Sequence, residues 1–202
     1  MKKIQYIAFM AIAILLSSCA KDGSMIFGGK KIEISGSLPG TKTSFSDQGT
    51  SIKVSWTANE NILLVDATKT GTSATFSSDA SSEGQTSTIF KGVMSADEGD
   101  KIVAFYPASL AVTVLSAPID YSAQEGSLEY IQSKAVMYAT STFSATSTAL
   151  NFNNAASVLK MNLTMPSADD ITSVTISSSD NSLINKADLN LSGTAAAWNN
   201  QQ

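Results

Sequence analysis

Beyond residue 30 this chain is a succession of short apolar segments of strand length, cut apart by turn residues, with hardly any stretch of helical period. That pattern admits an all-β fold and little else. Alternation of apolar and polar side chains marks Ile32, Ile34 and Leu38, then Ile52, Val54 and Trp56, as half-buried strands. The best alternation comes late, with Leu159, Met161, Leu163 and Met165 on one face and Lys160, Asn162 and Thr164 on the other. Residues 62–65 form a continuous apolar run, the mark of a strand covered on both faces. Further strands are predicted over 74–76, 88–90 and 101–106, and over Val112 and Val114 up to a stop at Pro118. Others follow at 136–139, 149–152 and 171–177, and at Leu189 and Leu191. A helix is only weakly marked within 122–132. The expected architecture is a β-sandwich with a core of Ile34, Trp56, Leu64, Phe90, Val103, Phe105, Leu159, Met161, Leu163 and Ile176.

The first residues have a different logic. Lys2 and Lys3 precede an apolar run over 4–16, which has the form of a secretory signal and is too short to span a bilayer. Leu16-Ser17-Ser18-Cys19 then matches the bacterial lipobox, so Cys19 is expected to become the lipidated first residue of the mature protein. At about 0.8 kcal/mol per buried methylene, a diacylglycerol thioether and an N-acyl chain together hold far more firmly than one chain. The expected location is the outer membrane, facing outward. Residues 19–30 read as a flexible tether, with Asp22 as a weak acidic export signal. The expected division is a signal peptide over 1–18, the tether over 19–30, a β domain over 31–192, and the truncated start of a second domain over 193–202.

Composition removes several chemistries. A pI near 4.7 and a net charge of -4 disfavour a nucleic-acid partner. The 13 basic residues are all lysine, and histidine is absent. With the single cysteine given to lipid, histidine triads, thiol nucleophiles and Cys/His zinc sites are excluded. No disulfide can form within the chain. The adjacent carboxylates Asp97-Glu98 and Asp169-Asp170 point apart and read as solvated turns, as do Glu125 and Glu129 around Gly126. The expectation is no enzyme, no metal and no cofactor beyond the lipid on Cys19. Asn162-Leu163-Thr164 and Asn190-Leu191-Ser192 match a glycosylation pattern by chance.

Several stretches, in order over nearly the whole mature chain, resemble the fimbrillin family of type V pilins and their accessory subunits. They are the lipobox, Thr41-Lys42-Thr43-Ser44-Phe45, and Val54-Ser55-Trp56-Thr57-Ala58-Asn59-Glu60-Asn61-Ile62. Val103-Ala104-Phe105-Tyr106-Pro107 is similar to the family's aromatic-Pro strand end. Leu150-Asn151-Phe152-Asn153-Asn154-Ala155-Ala156-Ser157-Val158-Leu159-Lys160 is similar to its L-x-F-x-N-x-x-A-x-L-K segment, and residues 171–176 fit the strand that follows. The resemblance implies a transthyretin-like Greek-key sandwich, exported as a lipoprotein and incorporated into a fimbrium. It also implies that a protease removes the first strand and that a strand of another subunit fills the groove by donor-strand exchange. Mapped here, the removable strand lies around 31–38, with Ile32 and Ile34 as its apolar side chains, and the candidate cut follows Lys42. Two departures stand out. Without arginine, maturation must use lysine or not occur, and a lipid-retaining subunit would act as an anchor. The sequence also ends where the family continues into a second domain, and a subunit that short would lack the expected donor strand.

Two functions remain open at this level. The first is a structural, adhesive or anchoring subunit of a fimbrium, with other subunits and host or bacterial surface ligands as partners. The second is a glycan-binding lipoprotein of a nutrient-uptake complex, which would need Trp56, Tyr106 or Tyr121 facing solvent as an aromatic platform.

Overall fold

A computed structural model describes residues 29–38, 44–47, 52–69, 71–123, 125–159, 161, 163–164, 171–179 and 183–201, with the backbone alone for 44–47 and 52–54. The all-β expectation holds. The strands are β1 (Lys30–Ser37), β2 (Ser44–Asp47), β3 (Ile52–Ser55), β4 (Asn61–Asp66), β5 (Ser73–Ser78), β6 (Ser87–Met94) and β7 (Lys101–Tyr106). They continue with β8 (Ser116–Asp120), β9 (Met137–Thr142), β10 (Ala149–Asn151), β11 (Asn153–Asn154), β12 (Lys186–Asn190) and β13 (Ala197–Asn199). The short helix α1 (Leu128–Ser133) overlaps the segment weakly marked for it and is capped by Ser127, whose hydroxyl accepts from the Tyr130 N–H.

The large sheet has the order β10-β1-β6-β5-β4-β7-β9-β11. Its two edge strands are consecutive in the chain, separated only by Phe152. Residues 149–151 pair in parallel with β1, and residues 153–154 pair antiparallel with β9. One segment therefore joins both edges, and the sheet closes on itself like a barrel over part of their length. A smaller sheet, β13-β12-β8, lies against the outside, and β2 and β3 form a separate hairpin.

Each strand's residue types explain its place. β7 is a continuous apolar run because both of its faces are covered. Ile102 and Ala104 point into the barrel, whereas Val103 and Phe105 point out to Ala117, Ile119, Leu189 and Leu191 of the small sheet and its flank. β4 repeats this, with Ile62 and Leu64 inside and Val65 outside. Trp56 follows β3 and is held by its own backbone, its N–H donating to Gln85 O at 2.7 Å and its carbonyl accepting from Gly84 N at 2.9 Å. Its fully buried ring meets Phe90 at 5.1 Å, Phe152 at 5.5 Å and Tyr106 at 6.0 Å, all edge-to-face.

The predicted core is correct for Ile34, Trp56, Leu64, Phe90, Val103 and Phe105, each at 0 % exposure. It fails for Leu159, Met161, Leu163 and Ile176, which are 68 %, 46 %, 54 % and 51 % exposed. The alternation of residues 159–165 yields no strand among the described residues there, and neither does residues 171–177. A period of two names a face but not a partner. Residues 149–154 already occupy part of both edges of the large sheet. The strand predicted over Val112 and Val114 is also displaced. Val114 sits in a tight turn with φ of 57°, and the strand begins at Ser116 and runs through Pro118. Proline is tolerated there because β8 is an edge, paired only with β12.

Lys69, in the β4–β5 turn, ties that turn to the loop before β7. Its Nζ donates to Asp97 Oδ2 and Asp100 Oδ2, each at 2.7 Å, and lies 3.9 Å from Asp66 Oδ2. The hydrogen bond from Lys69, and next the N–H of Asp97, hold the Asp100 carboxyl below its ordinary value of 3.8. Asp100, then Asp97, push the Lys69 ammonium above its ordinary 10.5. The Asp100 contribution to stability is therefore complete above its ordinary pKa and lost as pH falls through the lower folded value. That of Lys69 is complete below 10.5 and lost as pH rises through the raised value. Lys69→Met should lower the melting temperature at neutral pH, and the gap to the native protein should close in acid, once the pH has fallen through the lowered Asp100 value. Thermal melts across pH check this. A gap that persists in acid would assign the loss to packing of the lysine stem instead.

Candidate functional site: the slot of the first strand

β1 is paired unequally on its two sides. Against β6 it runs antiparallel over its whole length, Lys30 opposite Met94 through Ser37 opposite Ser87, and Leu38 N–H continues to Thr86 O at 2.9 Å. Against β10 it pairs only at Ser35, Gly36 and Ser37. Phe152 N–H closes that side by donating to Ser37 O at 3.0 Å. Two hydroxyls add to the seam: Ser35 Oγ donates to Thr148 O at 3.3 Å, and Ser37 Oγ donates to Asn151 Oδ1 at 2.7 Å. The half from Lys30 to Ile34 therefore holds to the sheet through β6, and β10 reaches only the other half.

The inward face of β1 carries Ile32, Ile34 and Leu38, all buried, with Gly36 between the last two. A Cβ at Gly36 would lie 2.6 Å from Phe90 Cε2, so only glycine lets that ring cross the strand. Gly92 serves the Phe76 ring in the same way on β6, again at 2.6 Å. Lifting β1 out would uncover Phe90 and Phe152 along the full-length edge of β6. What remains is a two-walled slot with apolar pockets two residues apart, capable of taking a strand and of no visible covalent chemistry. Ile32 and Ile34 of the expected removable strand lie buried on the inward face of β1. Gly36, Phe90 and Phe152 were not singled out as part of the slot, although a glycine inside an alternating strand is a signal of close approach.

Lys42, the lipobox residues Leu16, Ser17 and Ser18, and Cys19 lie outside the described residues. Among the described residues no helix is long and apolar enough to cross a membrane. The aromatic platform is not there. Trp56 is fully buried, and Tyr106 is half-buried with its hydroxyl donating to Glu60 Oε1 at 3.2 Å. Burial, aided by Glu60, pushes the Tyr106 hydroxyl up, and burial pushes that of half-buried Tyr121 up to about 12. The adjacent pair Asp97-Glu98 divides its partners, Asp97 to Lys69 and Glu98 Oε2 to the Ala145 N–H. Asp169 and Asp170 fall outside the described residues, and among those described no group of three or more acidic or cysteine side chains could hold a metal ion.

No protein-family model matches this sequence, and no curated protein does. Among solved structures, the chain is similar to a candidate cell adhesion protein of Bacteroides ovatus, at 13% identity and a TM-score of 0.44. The similarity covers 86% of this chain and 71% of that one.

Proposed function

We propose that this protein is a structural, adhesive or anchoring subunit of a cell-surface fimbrium, exported as a lipoprotein and joined to other subunits by strand addition. The observation that supports it is the seat of β1. A strand fully paired on one side, partly paired on the other and carrying Ile32, Ile34 and Leu38 on its inward face can be replaced by another chain's strand. Main-chain hydrogen bonds along β6 would supply affinity, and the pockets of Ile32, Ile34 and Leu38 would supply fit. Cleavage after Lys42 would separate the domain from its lipid and release β1 in the same step. An uncut chain would stay at the membrane as an anchor.

Two experiments bear on this reading. In a bacterial host with the lipoprotein pathway, labelled palmitate should enter the protein and be lost in Cys19→Ala; labelling that survives the substitution would refute the lipid anchor. Protein cleaved after Lys42 should form a ladder of denaturation-resistant oligomers on gels, as donor-strand polymers do. Persistence of cleaved monomers at every concentration would remove polymerisation from the account.

A further inference from the structure

A cavity of about 400 Å³ opens where β4 begins and β7 finishes, lined by Asn59, Glu60, Asn61, Thr75, Tyr106 and Pro107 among others. That volume is within the range of small-molecule sites, roughly 300–1,000 Å³. The backbone around it is clamped. Glu60 N–H donates to Ser78 Oγ, and Glu60 O accepts from the Ser78 N–H, each at 2.8 Å. Asn61 O accepts from the Ala108 N–H at 3.0 Å, which joins β4 to the turn after β7. Asn59 leads the chain into β4 with φ of 60°, a left-handed conformation that asparagine tolerates.

The polar atoms are set as firmly. Tyr106 Oη donates to Glu60 Oε1 at 3.2 Å, which commits its proton and leaves the phenol oxygen to accept. Asn61 Oδ1 accepts from Ser77 Oγ at 2.6 Å, so Asn61 meets a ligand with its amide N–H groups. Tyr106 and Pro107, both half-buried, are no open platform, but their rings give the cavity an apolar wall. A pyranose has the complementary make-up, with hydroxyls around its rim and C–H groups on its faces. We propose that this cavity binds the chain end of a neutral glycan, a hexopyranose in glycosidic linkage. Neutrality follows from charge: Glu60 lines the cavity and, among the described residues that do so, there is no lysine, so an acidic sugar would meet a like charge. A chain end follows from position. β1 begins at Lys30, and the strand pairing carries Asp66 and Lys101 towards that end of the barrel and Asn61 and Tyr106 away from it. A domain tethered through the residues before β1 therefore holds the cavity on its far side. The site is complete with β1 in place, so it stands apart from strand addition.

The test follows the backbone amide NMR signals of the full chain during titration with methyl glycosides at millimolar concentration. The neutral probes are those of glucose, galactose, mannose and N-acetylglucosamine, and the acidic probe is that of N-acetylneuraminic acid. The signals of Asn59, Glu60, Asn61 and Ser109 should shift with at least one neutral glycoside and stay in place with the acidic one. Tyr106→Phe keeps the ring and loses the hydroxyl, and should bind that glycoside about 10-fold more weakly. Asn61→Ala, at an exposed position, should do the same. Glu60→Gln should narrow the gap between neutral and acidic probes, and thermal melts verify that each variant is folded. No response to any neutral glycoside overturns the site, as do shifts confined to other parts of the barrel or an equal response to the acidic probe. Unchanged affinity in both Tyr106→Phe and Asn61→Ala overturns it too. Binding of the free sugars but not of their methyl glycosides would overturn a chain end as the ligand.

Discussion

Gly36→Val should destabilise the protein by about 3 kcal/mol, at the upper end of the cost of overpacking a core. The added Cβ would stand 2.6 Å from Phe90 Cε2 and 3.0 Å from Cδ2. Phe90 has nowhere to retreat, because Trp56 meets it edge-on at 5.1 Å and Phe152 lies at 6.1 Å. In a domain of this size that loss lowers the melting temperature by roughly 6–12 °C. Shortening the obstructing ring with Phe90→Leu should make the pair of substitutions less costly than the sum of the two, since both act on one contact. Additive losses in that double-mutant cycle would mean that Gly36 matters for a reason other than admitting the Phe90 ring.

Trp56→Ala should cost more, about 3–5 kcal/mol. The indole is fully buried and touches the rings of Phe90, Phe152 and Tyr106, which hang from β6, the β10–β11 junction and the end of β7. Removing it leaves a cavity bordered by three distant parts of the barrel, and no single strand can move in to fill it. Trp56→Phe separates this packing role from hydrogen bonding. The indole Nε1 is buried and has no hydrogen-bond acceptor among the described residues, so phenylalanine removes a polar group that contributes nothing there. Its cost should stay below about 2 kcal/mol. Denaturant unfolding of both variants decides the matter. Equal losses for alanine and phenylalanine would show that the indole nitrogen has a partner and that the cavity argument is incomplete.

Local pattern carried much of this fold. Ile32, Ile34 and Leu38 announce the inward face of β1 by alternation, and residues 62–65 and 101–106 announce strands buried on both faces by continuous apolar runs. These are properties a strand has whatever it pairs with. Closure of the barrel is of another kind. It depends on Leu150 and Phe152 both pointing inward while the chain passes from β1 on one edge to β9 on the other. Nothing in Leu150-Asn151-Phe152-Asn153 states which two strands will lie on either side. The same gap explains the failure at Leu159, Met161 and Leu163, where the alternation is strongest but names no strand to pair with. Pro118 shows the converse error, in which a local stop signal is overridden because β8 needs a partner on one side only. At the site, Ile32 and Ile34 were legible and the demand for glycine at 36 was not, since it arises from a ring that belongs to β6.

Departure of β1 from a folded barrel can be followed by limited trypsin treatment of the folded full-length protein. Cleavage after Lys42 is expected, with loss of the fragment that carries Ile32 and Ile34 on size exclusion and a compact remainder that newly binds an apolar dye in the uncovered slot. Recovery of full-length protein alone, or cuts confined to Lys21, Lys30 and Lys31 with the rest of β1 still attached, would contradict it.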